Sequence, residues 1–386
     1  GKPYANLLTA LKTPVTWAGL SQQFLMQNGS YDRAVTIAAT GSGKDYRLTR
    51  YDTYDAGGGA EVDLVGGPSF TDRFYAYTGG GTSFYYTTDG VSWSSATMPA
   101  ASNWFFASGD DRLLGVSVGD VMYSLDGLTW TAQTRGAASW SGLAYGSGKF
   151  VLTSYYTTAA PYTADGITWQ NGTLPGALPW GPPVSDGTNF VVFVEDTSTM
   201  VAHSANGTTW TTRSLPSSRD WYGPAYGNGK FVTVAYGTNV AAYSADGGLT
   251  WNSVTLPATA SRNEVGFVNG NFYATASGSA SLVYSSDGIT WNSASFPSAG
   301  FWSNIAYGNG KYVATRTSNS SVAAYSTNLS SWTSTSMPVI GGWENVEYVN
   351  GRFMAVKCGV SATNSAAYSA DGVTWNASTV PASAVW

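Results

Sequence analysis

The stretch Tyr243-Ser-Ala-Asp-Gly-Gly-Leu-Thr-Trp251 decides the reading of this chain, because close copies of it occur seven more times. They are YTTDGVSW at Tyr86–Trp93, YSLDGLTW at Tyr123–Trp130, YTADGITW at Tyr162–Trp169 and HSANGTTW at His203–Trp210. The remaining three are YSSDGITW at Tyr284–Trp291, YSTNLSSW at Tyr325–Trp332 and YSADGVTW at Tyr368–Trp375. The closing tryptophans are 37, 39, 41, 41, 40, 41 and 43 residues apart. A second phrase precedes the boxes in phase: AYGSGKFV at Ala144–Val151, AYGNGKFV at Ala225–Val232, AYGNGKYV at Ala306–Val313 and YVNGRFMAV at Tyr348–Val356. A fixed period near forty residues is the signature of a repeat architecture, in which each unit buries its faces only against its neighbours.

Within one period the sequence reads as four short β-rich runs separated by turn residues. In the third unit these are Trp140–Tyr145, Lys149–Tyr155, Ala159–Thr163 and Ile167–Gln170. Asp-Gly in the box is a strong hairpin signal. Beyond residue 60 no segment has a helical period. Four antiparallel strands in about forty residues match the blade of a β-propeller. The expected fold is therefore all-β: an eight-bladed propeller of four-stranded antiparallel blades over residues 60–386, preceded by a non-repeat segment, 1–59. Two four-bladed propellers are the alternative, disfavoured because no linker interrupts the period.

The box resembles the Asp-box, or BNR-type, repeat of sialidases, sortilin-like receptors and other propellers, whose pattern is Ser/Thr-x-Asp-x-Gly-x-Thr-Trp. Ser244-Ala-Asp246-Gly-Gly248-Leu-Thr250-Trp251 fits it directly, and the other copies lack the residue between Asp and Gly. The resemblance covers roughly 60–386 and implies a fold, since Asp boxes lie away from the active site in enzymes that carry them. The residues give the same reading. A carboxylate can accept backbone N–H bonds inside the hairpin, Gly supplies the positive φ, and Trp covers the turn. Asp89, Asp126, Asp165, Asp246, Asp287 and Asp371 are thus expected to staple turns. Asn206 and Asn328 can replace them. The box of Asn328 also lacks its Gly, so the seventh turn is expected to be irregular.

A further set of tryptophans marks one position per repeat. Trp104, Trp140, Trp180, Trp221, Trp302 and Trp343 each stand ten residues before the residue opening the second strand; Leu64 and Arg262 occupy that position in the first and sixth units. Two readings are open. The rings can wedge between blades, or they can form aromatic platforms around a funnel on the crossover face, where flat rings with polar edges suit sugars. On the second reading Trp104, Trp140, Trp180, Trp221, Arg262, Trp302 and Trp343 are candidate ligand-binding residues, with Arg262 fixing a carboxylate or hydroxyl. Trp386 ends the chain at the same phase and is expected to dock near Leu64 and help close the ring.

Residues 1–59 do not follow the repeat. A short helix at Ala5–Lys12 and strands at Val35–Thr40 and Tyr46–Tyr51 are expected, with a hinge at Asp55–Gly59. The segment reads as an attachment or oligomerisation arm, through which other virion or surface proteins would be engaged. The first residue is Gly and no signal-peptide pattern is present, so a processed or truncated product is expected.

Composition separates the function classes. Only 11% of residues are charged, 15% are aromatic, and the net charge of −5 argues against a nucleic-acid surface. No apolar run approaches membrane-spanning length. One cysteine, Cys358, excludes an internal disulfide, and one histidine, His203, limits acid–base chemistry; both read as structural. A sialidase-like glycosidase would need an arginine triad, a Tyr–Glu pair and an acid. The Arg-Ile-Pro motif of that family is absent, and of five Glu only Glu264 and Glu344 suggest a pair on the funnel face. Asp110–Asp111 reads as a solvated turn, and GSGK at Gly41–Lys44 is a fragment of a phosphate loop. No catalytic residue, metal or cofactor is expected. The Gly/Ser/Thr/Asn/Tyr-rich composition resembles that of phage tail fibres. The expected function is a non-catalytic module of a virion that recognises a host receptor or cell-surface glycan. A secreted or cell-surface bacterial adhesin or filament subunit is the alternative, and a glycosidase the third.

Overall fold

The computed structural model describes residues 73–77, 81–100, 102, 104–109, 112–117, 119–134, 139–262, 264–317, 319–358 and 366–381, with three short strands before them. Those strands, Gln22–Leu25, Ala34–Ile37 and Tyr46–Thr49, pair antiparallel in that order. The expected strands at 35 and 46 fall on two of them. The helix at Ala5–Lys12, the hinge at 55–59, Leu64, Asp110, Asp111 and Trp386 lie outside the described residues.

Every described element from Phe74 onward is a strand, and every named pairing is antiparallel. The sixth repeat shows the plan: Gly266–Val268, Asn271–Thr275, Ser279–Ser285 and Asn292–Gly300 lie side by side in chain order. In two places the fourth strand of one repeat continues into the first strand of the next, as Thr211–Gly227 and Thr333–Val349. In the third repeat the second and third strands form one long strand, Lys149–Thr163, and the fourth begins at Gln170. The fourth strand was expected from Ile167. It starts later because the amides of Ile167 and Thr168 are held in the box turn by Asp165.

Burial explains why each sheet needs two neighbours. The second strand is buried on both faces, as in Phe231–Ala235, and so reads as a continuous apolar run. Its alternate residues belong to different cores. Phe231 packs with Val191 and Val201 of the fourth repeat, and Val232 with Phe272 and Val283 of the sixth. The fourth strand is an exposed edge that buries one residue before a proline: Leu174, Leu215, Leu256, Phe296 and Met337 precede Pro175, Pro216, Pro257, Pro297 and Pro338.

Eight apolar clusters result, each joining consecutive repeats. One joins the fourth repeat to the fifth, which two separate four-bladed rings would not allow. Another joins the last repeat to the first, placing Met354, Val356 and Ala366 against Phe74, Ala76 and Tyr85. The Trp93 indole N–H donates to Ser378 Oγ at 2.8 Å, and Asn350 Nδ2 donates to the Thr88 carbonyl at 3.0 Å. These contacts are what eight blades around one axis require.

The first hairpin of a repeat is tight. Asn228-Gly229, Asn309-Gly310 and Asn350-Gly351 all have positive φ at both residues, the condition for the hairpin turn that matches strand twist. Asn228 also donates to the Ser286 carbonyl of the next box at 2.8 Å, and Asn309 to the Ala370 carbonyl at 2.6 Å. The residue that tolerates the turn is thus also an interblade staple.

Candidate functional site

The boxes are built from three groups. The Ser244 hydroxyl donates to Asp246 Oδ1 at 2.8 Å and accepts the Gly248 N–H at 2.8 Å. Asp246 Oδ1 also accepts the N–H groups of Leu249 and Thr250, at 3.0 and 2.9 Å. Asp89, Asp126, Asp165, Asp287 and Asp371 accept two backbone N–H groups in the same way. Partial burial pushes the carboxyls of Asp126, Asp165, Asp246, Asp287 and Asp371 upward, but the donors aimed at them outweigh this. They are held below the usual range, to about 2 in Asp165 and Asp371. In Asp89 the Ser92 N–H is the strongest influence, and it too lowers the carboxyl. These six carboxylates are occupied by their own turns.

Two features of the boxes were not anticipated. A buried hydroxyl two residues before the acid (Thr87, Ser124, Thr163, Ser204, Ser244, Ser285, Ser326, Ser369) is as much a part of the staple as the carboxylate. Its signal was its recurrence as Ser or Thr in all eight boxes. The seventh turn, expected to be irregular, has the common geometry. Asn328 Oδ1 accepts from Ser330 and Ser331, each at 3.1 Å, and Leu329 takes φ 64° in place of glycine. Leu329 is held there by burial beside Phe296, Trp302 and Trp332.

The ring position corrects the expected funnel. Trp104, Trp140, Trp180, Trp221, Trp302 and Trp343 are 1, 7, 0, 1, 6 and 0% exposed, and Arg262 is 0% exposed. No flat face remains for a ligand, because each tryptophan sits in the apolar cluster between its own repeat and the preceding one. Trp302, for example, stacks on Phe296 at 4.3 Å and 16°. The indole N–H groups of Trp180, Trp221, Trp302 and Trp343 donate to the carbonyl four residues earlier. Arg262 Nη1 does the same, to Ala258, and Nη2 reaches Ser281 Oγ at 3.1 Å. Arg262 is a buried stand-in for tryptophan, and burial holds its pKa below the ordinary value. Glu264 belongs to the sixth repeat and Glu344 to the eighth, with the seventh, Trp302–Met337, between them in chain order.

One group of solvent-facing side chains at this end belongs to the third, fourth and fifth repeats; Phe301 and Ile340 are also exposed, beside later crossovers. The third strand runs from Thr197 to Ser204, where the box begins, so its start lies at the end away from the boxes. There Thr197 pairs with Asp220 of the crossover, the Glu195 N–H donates to the Pro179 carbonyl, and the Tyr236 N–H donates to the Asp220 carbonyl. Backbone bonds between hairpin tips and crossovers thereby bring Tyr155, Glu195, Asp220, Tyr222 and Tyr236 into one surface. Tyr155 Oη donates to Glu195 Oε2 at 2.5 Å. A Cβ on Gly181 would stand 2.8 Å from Glu195 Oε1, so glycine there makes room for the carboxyl. The Tyr222 and Tyr236 rings lie 5.6 Å apart, tilted by 43°. Tyr156 is 72% exposed and Tyr236 42%.

Electrostatics couple the members of the group. Desolvation raises the Glu195 carboxyl, the bond from Tyr155 opposes this, and the Asp220 charge adds to the rise. Desolvation and then Asp196 raise Asp220. Desolvation, then Asp220, Tyr236 and Glu195, raise the Tyr222 phenol. Flat exposed rings beside carboxylates suit a polyol: the rings cover C–H faces and the carboxylates accept hydroxyls. The sequence signal was departure from the repeat. The tips that read AYG at Ala235–Gly237 and ASG at Ala276–Gly278 have as counterparts SYYTT at Ser154–Thr158 and VED at Val194–Asp196.

No protein-family model matches the sequence, and no curated protein matches it. Solved structures of similar shape include the computationally designed Ika8 protein, at a TM-score of 0.58 and 10% identity over 81% of this chain and 94% of that one. They also include apo AztD from Citrobacter koseri, at 0.52 and 12% identity over 80% and 93%. A third is catalytically inactive virginiamycin B lyase from Staphylococcus aureus with quinupristin, at 0.52 and 9% identity over 76% and 95%. Likenesses at such identities concern the fold alone, and the fold is an all-β propeller.

Proposed function

We propose that this propeller is a non-catalytic binding module that recognises a glycan through the surface formed by Tyr155, Glu195, Asp220, Tyr222 and Tyr236. The observation that carries the reading is the conjunction of the exposed Tyr236 ring and the half-buried Tyr155 and Tyr222 rings with two carboxyls held above their usual range on the crossover face. The setting we infer is a virion, such as a phage tail that engages a host surface glycan, with an extracellular or cell-surface adhesin as the alternative setting. The low-charge, Gly/Ser/Thr/Asn/Tyr-rich composition supports it. A glycan array with the purified chain tests the reading. Tyr236→Ala should abolish the binding of whatever neutral glycan is captured and leave melting unchanged. Binding that survives both Tyr236→Ala and Glu195→Gln would remove this surface from consideration.

A second reading is a glycosidase, favoured by one observation: the Tyr155–Glu195 hydrogen bond joins a phenol to a carboxyl held above its usual range. Incubating each captured glycan with the protein separates the two. Intact glycan supports binding alone, and released sugar that disappears in Glu195→Gln supports hydrolysis.

A further inference from the structure

His203 is the chain's single histidine, and it stands where the other seven boxes open on Tyr. It is 4% exposed, and its Nε2 is buried with no hydrogen-bond partner among the described residues. The box of the fifth blade seats directly on it. That box alone carries an extra residue, Gly247-Gly248, and a Cβ on Gly248 would stand 2.3 Å from Val191 Cγ1 and 3.4 Å from His203 Cδ2. In two other seams the box glycine lies near the Cβ of the tyrosine, Gly166 near Tyr123 and Gly90 near Tyr368, and in three more it faces a valine and a phenylalanine, as Gly288 faces Val232 and Phe272. At this seam the longer box brings Gly248 up to Val191 and the edge of the imidazole, leaving no room there for a side chain.

Charged groups face the imidazole from three elements. They are Arg213 on the neighbouring strand, Asp186 in the first hairpin of the same blade and Asp246 in the seated box, with the Gly247 carbonyl also accepting from the ring. We propose that His203 is an acid-sensitive latch at the seam between the fourth and fifth blades. The neutral ring lets the fifth box seat, and protonation puts a charge and an N–H without an acceptor into the buried seam. Burial first, then Arg213, hold the imidazole pKa below its ordinary value of 6.5, against the pull of Asp186, Gly247 and Asp246. A depressed folded pKa means that the unfolded or opened state binds the proton more readily. Seam stability is thus fully present above about pH 6.5 and falls as pH drops through the folded value. His203 pairs with Thr211, and the strand that begins there continues to Asp220 and Tyr222. Loosening at the latch therefore acts on the strand that carries the crossover surface.

The test is amide hydrogen exchange at Leu249 and Thr250, whose N–H groups are held by Asp246 in the seated box. The amides of Ile289 and Thr290 in the next box are the internal reference. Between about pH 7.5 and about pH 5, protection at Leu249 and Thr250 should fall relative to the reference, about tenfold for each unit by which the folded pKa lies below the ordinary one. In His203→Gln the ratio should stay flat. Should that variant fail to fold, His203→Tyr, the residue of the other seven boxes, should give the same flat ratio. An equal change in both boxes of the wild-type protein, or the wild-type change persisting in a folded variant, overturns the proposal.

Discussion

Arg262 donates through Nη1 to the carbonyl of Ala258 at 2.9 Å, the bond that Trp221 makes through Nε1 to Ser217 at 3.0 Å. The two side chains differ in charge and share a position and a hydrogen bond. The arginine leaves its Nε buried without a partner among the described residues, and burial lowers its pKa with no carboxylate among them opposing it. A buried guanidinium without a counter-charge is costly, while a ring of similar reach would keep the bond and fill the seam. Arg262→Trp should therefore stabilise the protein by about 1–3 kcal/mol, read as a higher denaturant midpoint at unchanged slope. A lower midpoint would show that the sixth seam is built around the cation.

Trp221 is 1% exposed and packs with Val191, Phe193 and Phe231. Trp221→Ala should cost about 3–5 kcal/mol, as large truncations in close-packed cores do. Glycan binding should persist in the folded fraction, measured below the melting transition. Lost binding at unchanged stability would return the ring to a ligand role.

The box carboxylates set the response to strong acid. A folded pKa near 2 in Asp165 and Asp371, against an ordinary value of 3.8, means that their contribution is present above about pH 4. It is lost as pH falls through about 2, so the melting temperature should drop across that interval. Asn206 and Asn328 already hold their turns with an amide oxygen. The double variant Asp165→Asn, Asp371→Asn should then fold and show a shallower drop. An unchanged slope would place the acid response elsewhere.

The Asp246 turn faces solvent on its outer side, since Asp246, Leu249 and Thr250 are exposed. Asp246→Ala should cost about 0.5–1.5 kcal/mol, the net worth of ordinary hydrogen bonds, because water can replace the carboxylate. Ser244→Ala removes a hydroxyl that is 0% exposed and should cost more, about 1–3 kcal/mol, by orphaning the Gly248 N–H. Equal melting temperatures in the two variants would contradict this ordering.

The fold was legible because each seam repeats one pattern. Box, hairpin and ring tryptophan recur in phase, and the alternation of Phe231 and Val232 between two cores follows from strand geometry. The fate of the ring position was not legible. A tryptophan on a crossover face and one wedged beneath it have the same spacing, and only packing separates them. Arg262 misled for the same reason, since a lone arginine among tryptophans signals a ligand until its bond to Ala258 is seen. The crossover surface was missed because its residues are the ones that break the repeat. Tyr155, Glu195 and Asp220 lie 40 and 25 residues apart in sequence and meet only through the pairing of hairpin tips with crossovers.

The seam that brings Met354 and Ala366 against Phe74 is closed, like the others, by apolar packing between neighbouring repeats, and no disulfide crosses it. Closure of the ring at this seam therefore rests on packing and on side-chain hydrogen bonds such as that of Trp93 to Ser378. A circular permutant opened at the Asn309-Gly310 turn, with the present first and last blades joined by a short tether, would present the same eight interfaces in a rotated order. In evolutionary terms, a ring of this kind can begin on any of its blades without changing what its faces present.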